Sequence, residues 1–243
     1  MKEEVYHLMA RIEASHWWFE GRRRIVDHLL QRIALPDAAS VLEIGCGTGG
    51  NFEMLSRYGS LSALDVDATA IGYASARGIA DVRQGSLPDD APFPEEHFDL
   101  VVLLDVLEHI DPDQEALHEV HRLMAPGGNL FLTVPAFPFL WSPHDDVHEH
   151  KRRYTRGELV EKVRAAGIRV TRVSYFNTLL FPLIAAVRFG QRFVPHRAVS
   201  DMSVPPAPVN RFLTHVIASE RHTLPFWSNP AGVSLLLHGQ RDD

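Results

Sequence analysis

The chain has 243 residues, 45% of them hydrophobic, and carries 24 Lys and Arg against 31 Asp and Glu, a net charge of -7. That length can bury a full α/β core as one domain, and the acidic balance excludes wholesale nucleic-acid binding, which needs a basic domain. A single cysteine, Cys46, excludes an intramolecular disulfide and points to a reducing, cytoplasmic compartment.

Val5, Leu8, Met9 and Ile12 recur at helical spacing, as do Ile25, Val26, Leu29, Leu30 and Ile33, so two amphipathic helices precede the first strand. Between them stands His16-Trp17-Trp18-Phe19-Glu20-Gly21, an aromatic knot that helix packing alone does not require. Residues 1–35 are expected to form a helical lid, without the apolar core of a signal peptide. Val41 to Ile44 reads as a buried strand running into Gly45-Cys46-Gly47-Thr48-Gly49-Gly50, with a helix from about Asn51 to Tyr58. Leu61 to Leu64 forms a second strand, Ala70 to Arg77 a helix, Asp81 to Gln84 a short third strand and Phe98 to Leu104 a fourth. Asp113 to Met124 is helical and ends at Pro126-Gly127-Gly128, and Asn129 to Val134 is the fifth strand. Glu158 to Ala166 is a helix stopped by Gly167, Ile168 to Phe176 the sixth strand, and Gly232 to Leu237 the seventh. Such alternation predicts a parallel sheet with helices on both faces.

The last two strands are separated by residues 177–230, where a hairpin would suffice, so this stretch is an insertion. It holds an apolar, arginine-flanked piece, a proline-rich linker at 204–208 and a helix expected from Asn210 to Arg221. Its apolar run at 178–187 is about half of the ~20 residues a membrane-spanning helix needs and is interrupted by Pro182, so nothing is expected to span a membrane. The apolar residues with Arg188, Arg192 and Arg197 suit a greasy acceptor with an anionic head, peripheral contact with lipid, or a homodimer interface.

The glycine loop carries the chemistry. Glycines bring backbone N–H groups close to a ligand, and Asp65, about 20 residues after Gly45, can accept both hydroxyls of a ribose. Gly45, Gly47 and Gly50 satisfy the dinucleotide pattern G-x-G-x-x-G, which leaves a nicotinamide oxidoreductase as an alternative. Glu43 with Gly45 and Gly47 equally satisfies E-x-G-x-G, the loop of proteins that bind S-adenosylmethionine. A carboxylate beneath the loop repels a pyrophosphate and attracts an ammonium, so Glu43 favours the second ligand.

Together these residues resemble the class I S-adenosylmethionine-dependent methyltransferases over roughly Ala39 to Pro135 and the terminal strands. The resemblance implies a Rossmann-like, doubly wound seven-stranded sheet, mostly parallel with the last strand antiparallel. It also implies a methionine end held by Glu43, Gly45 and Gly47, a ribose on Asp65, and an adenine beside Gly85, Ser86 and Leu87. Where Ser86 stands, the family usually carries an acidic residue. Cys46, Asn51, Val66 and Asp105 are expected to complete the cofactor wall. Phe98 to Val102, Val106 to Ile110 and Arg122 to Gly128 resemble the family's remaining signatures. The flanks His16 to Phe19 with Arg22-Arg23, and Trp141 to Asp145 with His150 and Arg152 to Tyr154, resemble a bacterial subgroup often tied to surface-polysaccharide or secondary-metabolite gene clusters.

Methyl transfer needs alignment, a dry site and sometimes a base. Trp17, Trp18 and Phe19 could face the sulfonium, with Trp18 beside the cofactor and Trp17 beside the acceptor, or could simply pack the N-terminal helices. Arg22 or Arg23, the latter the expected cofactor residue, could pair with the methionine carboxylate or lie on a solvated face. The loop from Pro135 to Tyr154 leaves the carboxyl edge of the sheet, where open α/β folds bind ligands. There His150 or His144, paired with Asp145, are the candidate bases. Arg152 and Arg153 could hold an anionic acceptor with Tyr154 as a wall, and Asn177 is a further acceptor candidate. A structural network bracing the loop is the competing reading for these residues. His144, His148 and His150 match no metal signature in spacing, so no metal is expected. His109 reads as a packing or capping residue. The expectation is transfer of a methyl group to a small or lipid-linked, possibly anionic acceptor, most simply at oxygen. The other alternative is a non-catalytic S-adenosylmethionine-binding partner protein.

Overall fold

The computed structural model describes residues 3–191 and 203–242. Helices α1 (Glu3–Ile12) and α2 (Trp17–Leu30) come first, followed by β1 (Ser40–Ile44), α3 (Phe52–Leu55), β2 (Ser60–Asp65), α4 (Ala68–Ala76), β3 (Asp81–Gln84) and β4 (Phe98–Leu104). Then come α5 (Asp113–Leu123), β5 (Met124–Pro135), α6 (Pro143–Val147), α7 (Arg156–Ala165), β6 (Ile168–Phe176), α8 (Phe181–Gln191), α9 (Ala207–Ser219) and β7 (Ser234–Arg241). The seven strands form one sheet in the order β3-β2-β1-β4-β5-β7-β6, with β7 antiparallel to both neighbours and β1 to β5 parallel. This is the doubly wound, Rossmann-like arrangement expected.

Burial explains the order. Leu42, Leu103, Leu130 and Leu132 face one cluster with α5 and α7, while Val41, Leu100, Val102 and Phe131 face a second with α2, α3 and α9. Strands covered on both faces must be apolar throughout, as Phe98 to Leu104 is. The chain order reverses at β1 and β4, and the crevice outside their carboxyl ends is where such sheets take ligands.

Four element boundaries stand out from expectation. Helix α3 is one turn, because Gly59 passes so close to the Ala39 carbonyl that no Cβ fits and the chain must already be turning. Met124 pairs with Phe98, so β5 begins there and Pro126-Gly127-Gly128 is a bulge inside the pairing, with Gly127 at φ 71°. β7 runs on to Arg241, paired with Ile168. In the insertion, α9 starts at Ala207, with Pro208 in its first turn, three residues ahead of the expected Asn210, and ends in a 3-10 turn at Glu220–His222. Arg192 and Arg197 lie outside the described residues. No helix among the described residues is long and apolar enough to cross a membrane.

Candidate functional site

A cavity of about 940 Å³ opens over the carboxyl ends of β1, β2 and β4. That exceeds the need of one nucleoside-sized ligand and lies at the upper end of small-molecule sites. Its floor is the glycine loop. Gly45 sits at φ 67° against Val106, whose methyl groups occupy the place of a Cβ, so only glycine fits there. Cys46, Gly47, Gly50 and Asn51 continue the lining, and Asp65, Val66, Gly85, Ser86 and Leu87 extend it.

Asp65 is 7% exposed. Its Oδ2 accepts from the Gly47 N–H at 2.7 Å and its Oδ1 from the Asp67 N–H at 3.0 Å. Each carboxylate oxygen keeps a lone pair for the cavity. Burial raises the Asp65 carboxyl above its ordinary value, and the backbone donors oppose the rise. Glu43 lies just beneath the lining, 1% exposed. The Asn51 Nδ2–H group donates to Glu43 Oε1 at 2.7 Å, while Glu43 Oε2 and Asn51 Oδ1 are buried without a hydrogen bond. Burial pushes Glu43 up to about 8, against the lowering effects of Asn51 and Arg22. Two unsatisfied acceptors beside a glycine loop call for a donor-rich, positively charged ligand group. An ammonium meets that demand and a pyrophosphate does not, so the residues present fit S-adenosylmethionine.

The N-terminal helices form the second wall, through Tyr6, Met9, Glu13, His16, Trp17, Trp18, Phe19, Arg22 and Arg23. They are tied down by charge. Arg77 pairs with Glu13 and its Nε–H donates to the Thr48 carbonyl at 2.7 Å, which clamps the end of α1 onto the glycine loop. Arg22 pairs with Asp105, which also accepts from Thr133 Oγ1 at 3.1 Å and stands at φ 59°. Arg23 donates to the Glu13 carbonyl at 2.6 Å, so its guanidinium braces the corner between α1 and α2. Trp18 stacks on Phe176, with ring centroids 5.8 Å apart. Trp17 meets Trp18 edge to face, and the Trp17 backbone N–H donates to Asn210 Oδ1 at 2.9 Å.

The third wall is the loop after β5. Its segment 150–154 runs back along the end of that strand, with the Tyr154 N–H donating to the Pro135 carbonyl and the Phe137 N–H to the Tyr154 carbonyl, each at 2.9 Å. Asp145 is fully buried at the centre of this loop. Its Oδ1 accepts from His150 Nδ1–H and Arg153 Nε–H at 2.8 Å, and its Oδ2 from Arg153 Nη2–H at 2.9 Å and the Ser142 N–H at 2.8 Å. Burial alone would raise its carboxyl, but these bonds and the Arg153 charge hold it below the carboxylate range. His150 therefore turns its Nε2 away from Asp145, and that atom lies 4.0 Å from Glu108 Oε1. His109 stands edge to face with His150 at 4.8 Å, and the His144 and His148 rings lie 6.1 and 5.9 Å from it. Burial lowers His109 and His148 to about 4 each and lowers His144 as well.

Most of the expected residues thus meet in one cavity: Trp17, Trp18, Arg23, Gly45, Cys46, Gly47, Asn51, Asp65, Val66, Ser86, Leu87, Asp105, His144, His150, Arg153 and Asn177 all line it. Glu43 and Asp145 sit one layer behind. Two expectations need correction. Tyr154 is fully buried outside the lining, its hydroxyl donating to Asp113 Oδ2 at 2.9 Å, because the chain reversal at 150–154 turns it into the core cluster that α5 covers. Arg152 is also outside the lining and pairs with Asp113 at 3.1 Å and Asp111 at 3.4 Å. Sequence reading missed Tyr6 and Met9 on α1 and Glu13 just after it, whose only signal is that an amphipathic helix stands ahead of the fold. It also missed Glu108, and assigned His109 to packing although that ring lines the cavity.

Comparison with known proteins agrees with this geometry. The family model described as a methyltransferase domain matches residues 18–175. A Mycolicibacterium smegmatis protein named "Probable S-adenosylmethionine-dependent methyltransferase" is 29% identical over 161 residues, 64% of this chain and 61% of that protein. Ubiquinone biosynthesis O-methyltransferase of Klebsiella pneumoniae is 27% identical over 136 residues, 50% of this chain and 56% of the relative. The chain thus spans about three fifths of the length of these curated relatives. Among solved structures, Haemonchus contortus phosphoethanolamine N-methyltransferase 2 in complex with S-adenosyl-L-methionine aligns with a TM-score of 0.60 at 14% identity, covering 90% of this chain and 52% of that one.

Proposed function

This chain belongs to the class I S-adenosylmethionine-dependent methyltransferases, and from that membership we propose that it methylates an oxygen of a small or lipid-linked acceptor. The observation that carries the acceptor reading is His150, fixed on Nδ1 by buried Asp145 and presenting Nε2 to a cavity that is apolar at its mouth. Leu183 and Val187 of α8 line the cavity while remaining 63% and 52% exposed, which suits a hydrocarbon tail leaving the site.

Bound over the glycine loop, the cofactor supplies a methyl carbon made electrophilic by its sulfonium. In this reading Asn51, held by Glu43, accepts from the ligand's ammonium, and Asp65 takes the ribose hydroxyls. Ser86 and Leu87 border the adenine. Arg22 with Asp105, and the Trp17 and Trp18 rings, wall the reacting centre and exclude water. His150 activates the acceptor hydroxyl, and Asp145 is its positioning residue, fixing the imidazole tautomer. Helices α1 and α2 serve as the lid over the cofactor, and the described parts of the insertion, α8 and α9 among them, as the acceptor wall of a single domain. The homologous ubiquinone O-methyltransferase bears the same kind of name as the reaction proposed, and supports oxygen over nitrogen or carbon.

The test is calorimetry followed by turnover. S-adenosylmethionine and S-adenosylhomocysteine should bind and NADH should not. Phenols and hydroxy acids with and without isoprenoid or acyl tails should then be screened for release of S-adenosylhomocysteine and gain of one methyl group. Binding of NADH alone would overturn the cofactor assignment. Methylation confined to amines would overturn the acceptor assignment.

A further inference from the structure

Glu108 is fully buried, lines the cavity, and makes no hydrogen bond from either carboxylate oxygen. A buried carboxylate without partners is strongly disfavoured, so its surroundings should supply a cation or donors. The guanidinium groups whose charge reaches Glu108, Arg22 and Arg153, are committed elsewhere, to Asp105 and Asp145. What faces Glu108 instead is imidazole. His150 Nε2 stands 4.0 Å from Glu108 Oε1, and one nitrogen of His109 joins them so that the three candidate donor atoms lie within 4.8 Å of one another.

We propose that Glu108, His109 and His150 hold a divalent cation of the class that favours imidazole with carboxylate, such as zinc, cobalt, nickel or ferrous iron. Four observations support the site. The ligands are two imidazole nitrogens and one carboxyl group, three donors that leave further coordination positions. A tetrahedral ion with ~2.1 Å bonds needs its donors ~3.4 Å apart, so a closure of roughly 1.4 Å at the widest pair completes the site. Behind His150, Asp145 accepts the Nδ1–H at 2.8 Å, the carboxylate-imidazole arrangement that orients metal-bound histidines and raises their basicity. The architecture holds the pieces together, because the Lys151 N–H donates to the Glu108 carbonyl at 2.8 Å and so ties the His150 segment to the loop after β4.

The inference deepens the acceptor reading above and rests on it for its role. An ion of charge +2 on a single carboxylate leaves a net positive centre inside the cavity, suited to an acceptor's oxygen anion. With the ion bound, His150 is a ligand and gives up the role of base assigned to it above. The ion lowers the pKa of the acceptor hydroxyl so that its proton leaves to solvent through the cavity mouth, and the resulting oxygen anion takes the methyl carbon as the carbon–sulfur bond breaks.

Cobalt(II) is the probe, since its visible bands report coordination number and ligand type. Chelator-treated protein should take up one equivalent of cobalt with bands of a nitrogen-oxygen site, and zinc should displace it. Glu108→Gln, His109→Ala and His150→Ala should each weaken uptake by ~100-fold or more. Calorimetric binding of S-adenosylmethionine by the same variants shows that each retains its fold and cofactor site. The inference is overturned if the parent protein takes up no stoichiometric cobalt, or if His150→Ala and Glu108→Gln bind it as well as the parent does. Failure of the two readings is distinguishable. Cofactor binding without cobalt uptake sinks only the metal site, and cobalt uptake without cofactor binding sinks only the methyltransferase reading.

Discussion

Glu43 holds a carboxyl where water cannot reach, with one hydrogen bond from Asn51 and one oxygen unsatisfied. Its pKa near 8 against an ordinary 4.5 makes it a liability for the ligand-free fold. Between those values the unfolded carboxyl has lost its proton and the native one has kept it, so the native state binds more protons. Stability of the ligand-free protein therefore falls as pH rises from about 4.5 to 8. Glu43→Gln should remove that slope and raise Tm at pH 8, read by thermal unfolding across pH. If the ionised form is what receives the cofactor's ammonium, the parent protein should bind S-adenosylmethionine ~tenfold more tightly per pH unit from about 6 to 7.5, and Glu43→Gln should bind weakly with no such dependence. A flat profile in the parent would separate Glu43 from the ligand. The residue type and position were legible in sequence, because a carboxylate at the end of an apolar strand, two residues ahead of a glycine loop, suits an ammonium and repels a phosphate. Its burial was not, since spacing says nothing about which layer a side chain occupies. The same limit hid the inward turn of Tyr154, which sequence placed on the acceptor side and the core claimed for Asp113.

At the scale of elements, the corner between α1 and α2 depends on the insertion far along the chain. Asn210 on α9 accepts from the Trp17 N–H at 2.9 Å and donates through Nδ2 to the Ser15 carbonyl at 2.7 Å, closing the turn from outside. Gly21 lets the two helices α2 and α9 meet, because a Cβ there would overlap the Ile217 side chain. Gly21→Val should cost about 1–3 kcal/mol through overpacking, seen as a lower denaturant midpoint. It should also weaken S-adenosylmethionine binding, because Trp17 and Trp18 are carried on the same helix. Loss of stability with cofactor affinity intact would mean that the lid is not part of the cofactor site. Strands and most helices were readable from apolar runs and periodicity. What escaped were features set by long-range contacts: the early start of β5, fixed by pairing of Met124 with Phe98, and the docking of α9 on α2. The Gly21 position was visible in the aromatic knot, but its partner lies nearly 200 residues away.

Across the whole molecule, the cavity gathers its walls from regions distant in sequence, and three of them bring contrasting chemistry beyond the N-terminal helices. The glycine loop offers acceptors, the loop after β5 offers imidazoles, and α8 offers aliphatic side chains open to solvent. An anionic or hydroxylated head drawn to the histidines would leave its tail against Leu183 and Val187, at the mouth. Both side chains are more than half exposed, so polar substitutions there remove apolar contact with an acceptor without opening a hole in the core. Leu183→Asp should therefore leave Tm and S-adenosylmethionine binding unchanged. It should raise KM ~10-fold or more for a tailed acceptor, in line with ~1.5–3 kcal/mol for the burial of one leucine, while kcat stays near the parent value. With a tail-less acceptor of the same head group KM should not move. An equal rise for both would mean that α8 contacts the head, and no rise for either would mean that the tail leaves by another route and that the exposed face of α8 serves a different partner.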